Sequence, residues 1–472
     1  MKKYKTAVIG SGIGGSLIAA LNCDDLILFE KDKNLGGCAS TFKKYGSYFN
    51  AGATTLVGYE QNHPVKRIFD KIEFTPDIKK SKTAIRVVQN GKKLDRTKDF
   101  EQFLIDINHL YPNKNNEKFW RKIKQIDEKF WQLKRLHFSK YGIKSYSKSF
   151  IFVLELIKVF KLDIFKSAKS YIKNTLGEIS TSYQNFIDAQ LFITVQTTSK
   201  DIPLLTMALG LSYPFHDVFY ANKGMGNLFN GILKNVNVHN KEEVELITKE
   251  ESFYKIQTSK QSYLVQNVVL NSTIYDSARL FEDKKIKDYY NKFTFSDQSA
   301  FVVYLKLDCK IDLIHHYQII LDRLIPNCIS NSFFVSFSDI SDEKMSDKGL
   351  SVTVSTHTKA NFWNNLNAKE YEKYKNETVK FIVNEFLKNF DFIKEENLKT
   401  YFGGTSKTFN SYINRFNCGG LAISFKNALS LASCRTPFKG VYNVGDTVFA
   451  GQGWPGVALG VEVLNKELNE EF

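Results

Sequence analysis

The chain has 472 residues, 43% hydrophobic and 24% charged, with a formal net charge of +15. This is the composition of a globular protein, not a disordered one, and the length suits two domains with more than one core. Six scattered cysteines, none in a CxxC pair, exclude a disulfide scaffold and a zinc knuckle and fit a reducing compartment.

The N-terminus, MKKYKTAVIGSG, reads as a first β-strand running straight into a glycine turn, not as a signal peptide. No stretch reaches about eighteen uncharged apolar residues, so no membrane-spanning helix is predicted. In KTAVIGSGIGGSLIAAL the pattern G-x-G-x-x-G falls on Gly10, Gly12 and Gly15, with Ile13 and Gly14 inside the turn. The first glycine permits the turn, the second lets backbone approach a pyrophosphate, and the third lets the helix pack on the sheet. A short helix over about 14–22 follows, and its N-terminus offers unpaired N–H groups to phosphate. The next strand, LILFE, ends in Glu30, followed by Lys31. Glu30 stands at the distance from Gly10 expected of a ribose-binding carboxylate. Gly36 and Gly37 then make a second bend. The aromatic strands around Tyr45, Tyr48 and Phe49 close at Gly52, an insertion suited to the pyrophosphate of an extended FAD.

Residues 111–175 hold sixteen Lys or Arg against five Asp or Glu, most of the basic excess. Lysines alternate there with Phe, Trp, Ile and Leu. The run SFIFVLELIKVFKLDIF is broken by Glu155, Lys158 and Lys161, too interrupted to span a bilayer but able to lie in one interface. A peripheral membrane surface and an ordinary solvated lobe both fit; nucleic-acid binding lacks a recognisable module. KGMGNLFNGIL (223–233) has a helical apolar pattern, and the alternation in KEEVELITKEESFYKIQTSKQSYLVQNVVLNST predicts antiparallel strands, with QNVVLNS rejoining the main sheet. FVVYLKLD, SFFVSFSD and LSVTVSTH read as strands of a mixed sheet. GTSKTFNSYINRFNCGGLAIS leads back toward the cofactor; its Arg415 either orients substrate or flavin or faces solvent. The terminal PFKGVYNVGDTVFAGQGWPGVALGVEVLNKEL reads as strand, loop and helix. There is no HExxH, no GxSxG and no Cys/His cluster, and the eight histidines are mostly isolated, so no metal is expected.

These motifs resemble the FAD-dependent amine oxidase and phytoene desaturase superfamily. They are most similar to its branch of bacterial-type phytoene desaturases, carotenoid cis-trans isomerases and retinol saturases. The resemblance rests on the glycine turn with Glu30, on Gly36-Gly37, and on Gly445-Asp446 with the GDTVFAGQGWPGVALG run. It implies an α/β fold: a Rossmann-like FAD-binding domain of the glutathione-reductase type with an inserted α+β substrate domain. The expected cofactor domain is discontinuous (1–90, 221–290 and 406–472), and the substrate lobe comprises 91–220 and 291–405. FAD is the implied cofactor, contacted by Gly10, Gly12, Ile13, Gly14, Gly15, Glu30, Lys31, Gly36, Gly37, Val244, Gly445, Asp446, Gly453, Trp454 and Val457. Asp446 would accept hydrogen bonds from the ribityl chain, and Val244 would meet the adenosine half by its backbone.

Catalytic side chains stay open, with Trp454 and Arg415 the candidates near the flavin; Trp454 is equally readable as core. The implied activity is desaturation, saturation or cis-trans isomerisation of a hydrophobic polyene or isoprenoid by hydride exchange with flavin N5. A lipid-soluble or diffusible electron acceptor, and a cytoplasmic location peripheral on the inner face of an anionic membrane, go with it. The alternatives are a flavin amine oxidase and a non-catalytic, FAD-containing lipid-binding protein.

Overall fold

The structure, a computed structural model, describes residues 1–470 apart from positions 135, 296, 422, 428 and 429. The first strand, β1 (Lys2–Ile9), begins exposed and ends buried. Helix α1 (Ile13–Leu21) and a wholly buried β2 (Leu26–Glu30) follow, the burial expected of a parallel strand covered on both faces. In spatial order the first sheet runs Asn237–Asn240, β2, β1, Ser262–Leu270, Phe253–Thr258 and Val244–Glu250. Its first four strands are parallel, and the last two form an antiparallel hairpin arm.

Ser262–Leu270 is the strand that joins both ends of the chain. One edge pairs with β1 from Lys2 opposite Tyr263 to Ile9 opposite Leu270. The other edge is shared between Phe253–Thr258 and, at its C-terminal end, the parallel strand Val441–Asn443. The carboxyl ends of five parallel strands therefore lie along one rim, where open α/β sheets bind ligands. Alternation along β1 sends Val8 into one core with α1 and the C-terminal helix Gly453–Glu470. It sends Ala7 and Ile9 into the opposite core with Leu280 and Tyr290.

The second sheet has the order Leu398–Gly404, Ser299–Leu307, Ser351–Thr358, Ser332–Phe337, His316–Ile320, Ile85–Gln89, Lys92–Arg96. In Ser299–Leu307, Phe301, Val303 and Leu305 pack with Ile382 and Phe386 of helix Ala368–Asn389. Val302 and Tyr304 point the other way, toward the hairpin of Thr41–Lys44 and Ser47–Asn50. One face of this sheet thus takes a helix and the other faces the cofactor domain. Ile85–Gln89, assigned from sequence to the cofactor domain, pairs in this second sheet. The reason is local: Asn90 and Gly91 both have positive φ, the Asn-Gly turn of a tight hairpin, so this strand folds back onto Lys92–Arg96. A small sheet of Leu56–Val57, Val218–Ala221 and Ile78–Lys80 lies between the two units.

The helical part of the lobe is organised around Arg96, which is fully buried. Its guanidinium donates to Gln190 Oε1 at 3.0 Å and to the Leu211 carbonyl at 2.8 Å. It lies 4.5 Å from the Phe103 ring, 4.7 Å from Phe215 and 5.3 Å from Trp120. One side chain at the end of a sheet strand thereby ties down four helical segments. Burial lowers its pKa to about 9, still charged at neutral pH. Arg96→Ala removes three ring contacts and leaves the Gln190 and Leu211 acceptors unpaired. A loss of about 2–4 kcal/mol is expected, read as a lower thermal midpoint of the purified protein; an unchanged midpoint would show the lobe holds without it.

Candidate cofactor and active site

A cavity of about 590 Å³ opens where the rim of the first sheet, the second sheet and the helical lobe meet. Its outer end is built by the glycine turns. A Cβ on Gly15 would lie 2.0 Å from the Gly10 carbonyl oxygen, so α1 can close on β1 only without a side chain there. Gly36 has φ +106°, and a Cβ on it would stand 2.5 Å from the Phe229 ring. Ser11 connects the two turns: its backbone N–H and its hydroxyl donate to Glu30 at 2.9 and 2.6 Å, and its hydroxyl accepts from Gly36 N–H at 3.1 Å. Burial pushes the Glu30 carboxyl above the usual carboxylate range, against the donors of Ser11 and Asp32.

Every cofactor residue expected from sequence lines this one cavity except Gly15, which packs behind it. Gly10, Gly12, Ile13, Gly14, Glu30, Lys31, Gly36, Gly37 and Val244 come from the first sheet and its loops. Gly445, Asp446, Gly453, Trp454 and Val457 come from the C-terminal loop and helix. Asn271, missed from sequence, is the wedge between the two groups. Its side chain lies 2.6 Å from where a Cβ of Gly12 would be, 2.8 Å from that of Gly14 and 3.1 Å from that of Gly445. Its position directly after the strand VVL was the available signal.

Arg415 and Asp446 form a pair, Nη2 to Oδ2 at 2.9 Å, at the cofactor end of the cavity. Arg415 also donates from Nε to the Asn417 carbonyl at 2.5 Å. It is therefore neither free in solvent nor on the inner wall. Trp454 is 2% exposed, stacks on Phe229 at 5.8 Å, and belongs to the core under the first sheet while one side touches the cavity. Its indole Nε1 and the amide oxygen of Gln452 are buried without a partner. These orphaned groups, a donor and an acceptor on the cavity lining, fit an extended ligand carrying both carbonyls and N–H groups, as FAD does. Bound there, FAD would be held by Glu30 and Lys31 at one end and by Arg415 and Asp446 further in.

Two thiols stand beside this pair. Cys38 and Cys418 share a small cluster with Phe49, Val302, Tyr304 and Phe409. A hydrogen bond from Cys418, and then the Arg415 cation, hold the Cys38 thiol below its ordinary value; Cys418 is pushed well above it by bonding to Cys38 and by burial.

The inner part of the cavity is of different character. Ile193, Val195, Leu209, Val302, Phe334 and Trp131 stand on its wall, with Thr194, Gln196, Thr206, Tyr213, His316, Ser355, Thr356 and His357 among its polar groups. The acids on the lining, Glu30, Glu242, Glu243 and Asp446, and the cations, Lys31, Arg279 and Arg415, are all at the cofactor end. Burial lowers the imidazoles of His316 and His357, the latter to about 4, so both are neutral near neutrality. His316 pairs with the Thr55 hydroxyl at 2.8 Å. Neither histidine was legible as a site residue in sequence.

The thiol geometry has a measurable consequence. Iodoacetamide is expected to label Cys38 first among the six free cysteines, with a rate whose pH midpoint lies below the ~8.5 of an ordinary thiol. Cys418→Ala removes the donor and moves that midpoint up, and added FAD slows the reaction. Labelling of Cys38 with the pH profile of a free thiol would contradict the arrangement.

Comparison with known proteins agrees with this geometry. Residues 8–72 match the family model of the NAD(P)-binding Rossmann-like domain. Over 97% of its length the chain is similar to the chloroplastic prolycopene isomerase of Daucus carota, 22% identical and covering 78% of that protein. In structure it resembles an oxidoreductase of Methanosarcina mazei, with a TM-score of 0.66 and 17% identity, covering 98% of this chain and all of the other. It also resembles putrescine oxidase bound to putrescine, with a TM-score of 0.61, 13% identity and 99% of each chain covered. Together these likenesses show the fold, a Rossmann-like α/β unit with an additional α+β domain, that this chain shares with those proteins.

Proposed function

We propose that the protein is an FAD-dependent oxidoreductase whose substrate is a hydrophobic polyene or isoprenoid, converted by desaturation, saturation or cis-trans isomerisation. The observation that carries this reading is the inner chamber without a charged side chain on its wall. An ammonium group entering it would lose its hydration with no carboxylate to compensate, at a cost of several kcal/mol. An apolar chain loses nothing and gains about 25 cal/mol for each Å² removed from water. The amine-oxidase reading is thereby disfavoured, and the full-length relatives named prolycopene isomerases point the same way.

When bound, FAD supplies reversible two-electron chemistry at its isoalloxazine ring. The chain's own residues do the rest. Asp446 and Arg415 would hold the inner end of the cofactor, the apolar wall would exclude water, and the neutral His316 and His357 could accept or donate hydrogen bonds without placing a charge beside the substrate.

A lipid-soluble substrate needs a route from a membrane, and the basic lobe carries a surface suited to one. Among the described residues no helix is long and apolar enough to cross a membrane. Helix Ile143–Phe160 instead turns Ile143, Tyr146, Phe150, Val153, Leu154 and Ile157 outward, and the next turn exposes Leu162 and Phe165. Exposed Lys144, Lys158, Lys161, Lys166 and Lys169 flank them. An outward apolar stripe bordered by lysines is the reverse of a solvated helix and matches an anionic lipid interface. On its buried side Phe152 touches Phe449 of the C-terminal cofactor loop, so the lipid-facing stripe and the cofactor loop are one helix apart.

Three experiments test this reading. The protein reconstituted with FAD is expected to change the absorption band of a polyene supplied in liposomes and to leave simple primary amines unreacted; amine turnover without polyene turnover would overturn the substrate class. Asp446→Ala should weaken FAD binding at least about tenfold with the circular dichroism of the wild type, whereas undiminished flavin uptake would remove Asp446 from the site. For the surface, flotation at low salt should carry the wild type with vesicles containing an anionic phospholipid but not with neutral ones. Phe150→Asp with Leu154→Asp should abolish that binding, and equal flotation of the variant would sink the assignment.

A further inference from the structure

A second cluster of ligating side chains lies behind the cavity wall, in residues that the cofactor does not use. Glu60 and His63 flank the turn before helix Pro64–Lys71, and His216 follows the helical lobe. One ligand atom from each of the three lies within 4.8 Å of the other two. Glu60 Oε2 and His216 Nδ1 are 3.2 Å apart. That is close to the ~3.3 Å separating neighbouring ligands on a tetrahedral zinc ion with bonds of about 2.0–2.1 Å. The sequence hid this set because Glu60 and His216 are 156 residues apart, and no spacing rule for metal ligands reaches across a domain.

Each member is held from behind, as metal ligands are. The other nitrogen of His216, Nε2, faces Asp127 Oδ2 at 2.5 Å. Asp127 is itself buried and accepts from the Trp131 indole at 3.0 Å. Glu60 has its second oxygen tied by the Asp217 N–H at 2.7 Å and Lys98 Nζ at 2.8 Å, so Oε2 is the oxygen left toward the histidines. His63 stacks flat on Trp131 at 4.5 Å and meets the His216 ring edge-on at 4.8 Å. It is 5% exposed, and its Nδ1 has no hydrogen-bond partner. A buried imidazole nitrogen left bare costs about 1–3 kcal/mol, a cost that a bound cation would remove.

We propose that Glu60, His63 and His216 form a binding site for a divalent first-row metal ion, zinc by preference, with Asp127 as the positioning residue for His216. Two imidazoles and one carboxylate are a borderline nitrogen–oxygen set, suited to Zn²⁺ and not to Ca²⁺ or Mg²⁺, which require more oxygens. The role is structural. The ion would clamp the loop after Leu56–Val57 to the segment before Val218–Ala221, and through Asp127 to helix Asn116–Trp131. Trp131 reaches the cavity wall, so the clamp would fix one side of the substrate chamber.

The test uses the full chain, stripped with a chelator and dialysed, without added flavin. Titration with Co²⁺ should give the intense visible bands of a four-coordinate site, saturating at one ion per chain, and Zn²⁺ should bleach them. Zn²⁺ should also raise the thermal midpoint of the stripped protein. His63→Ala should abolish the bands, and Asp127→Asn should weaken binding about 10–100-fold. Wild-type protein that gives only the spectrum of hydrated Co²⁺, or a His63→Ala, His216→Ala double variant that binds as the wild type does, would overturn the assignment. Because the wild type alone can fail this test, a variant that does not fold leaves the outcome decided.

Discussion

The two ends of the chain meet because a single strand pairs with both. Ser262–Leu270 fixes β1 on one edge and Val441–Asn443 on the other, so the register of one strand sets the relative position of two glycine turns more than 400 residues apart in sequence. Asn271 follows immediately and fills the space between those turns; its N–H donates to the Ile9 carbonyl at 2.9 Å. The turns can approach each other only because Gly12, Gly14 and Gly445 lack a Cβ where Asn271 stands. Glycine content at both termini is thus a packing requirement of one side chain as well as a cofactor requirement.

From that cradle inward, the cavity is graded in charge. Carboxylates and cations stand at the sheet rim, where a nucleotide's phosphates and sugars would need them, and stop at the Arg415–Asp446 pair. Beyond it, strand alternation in the second sheet places Val302 and Phe334 toward the chamber while Phe301, Val303, Phe333 and Val335 go to the opposite core. The two-residue period of the strands therefore separates a structural core from a cavity wall using the same kind of residue for both. Neutral His316 and His357 fit this gradient, since burial without a carboxylate partner keeps imidazoles uncharged.

Much of this was readable in the chain. The first glycine turn, α1, β2 ending in Glu30, the aromatic hairpin, the antiparallel arm rejoining the sheet and the C-terminal strand-loop-helix all lie where local pattern predicts, because each is a short-range signal of turn residues and period. What was not readable depends on distance. Asn271 is one asparagine among many until the strand before it is known to touch both termini. The Glu60–His63–His216 set needs the small sheet that brings residue 57 beside residue 218. Ile85–Gln89 belongs with the second sheet because the Asn90-Gly91 turn folds it onto Lys92–Arg96, a hairpin that a domain boundary at residue 90 cuts in two. Arg415 and Asp446 were each singled out, but their pairing is a property of the loops and not of either motif.

The outward stripe of helix Ile143–Phe160 makes physical sense only together with the chamber. Its buried side is narrow, carrying Ser145, Ser149, Phe152 and Phe160, too little to account for the helix by packing alone. Ile143, Tyr146, Phe150, Val153, Leu154 and Ile157 face away from the protein, an exposed apolar stripe of the kind that marks an interaction surface. Under the proposed function the substrate partitions into lipid, and such a substrate reaches a protein most readily at a surface already in contact with lipid. The helix would provide that surface, and its inner Phe152 packs against Phe449 of the C-terminal loop. On the proposed reading, lipid contact, substrate polarity and cofactor position would be linked through one element, with the lysines of the segment as the electrostatic border of that contact.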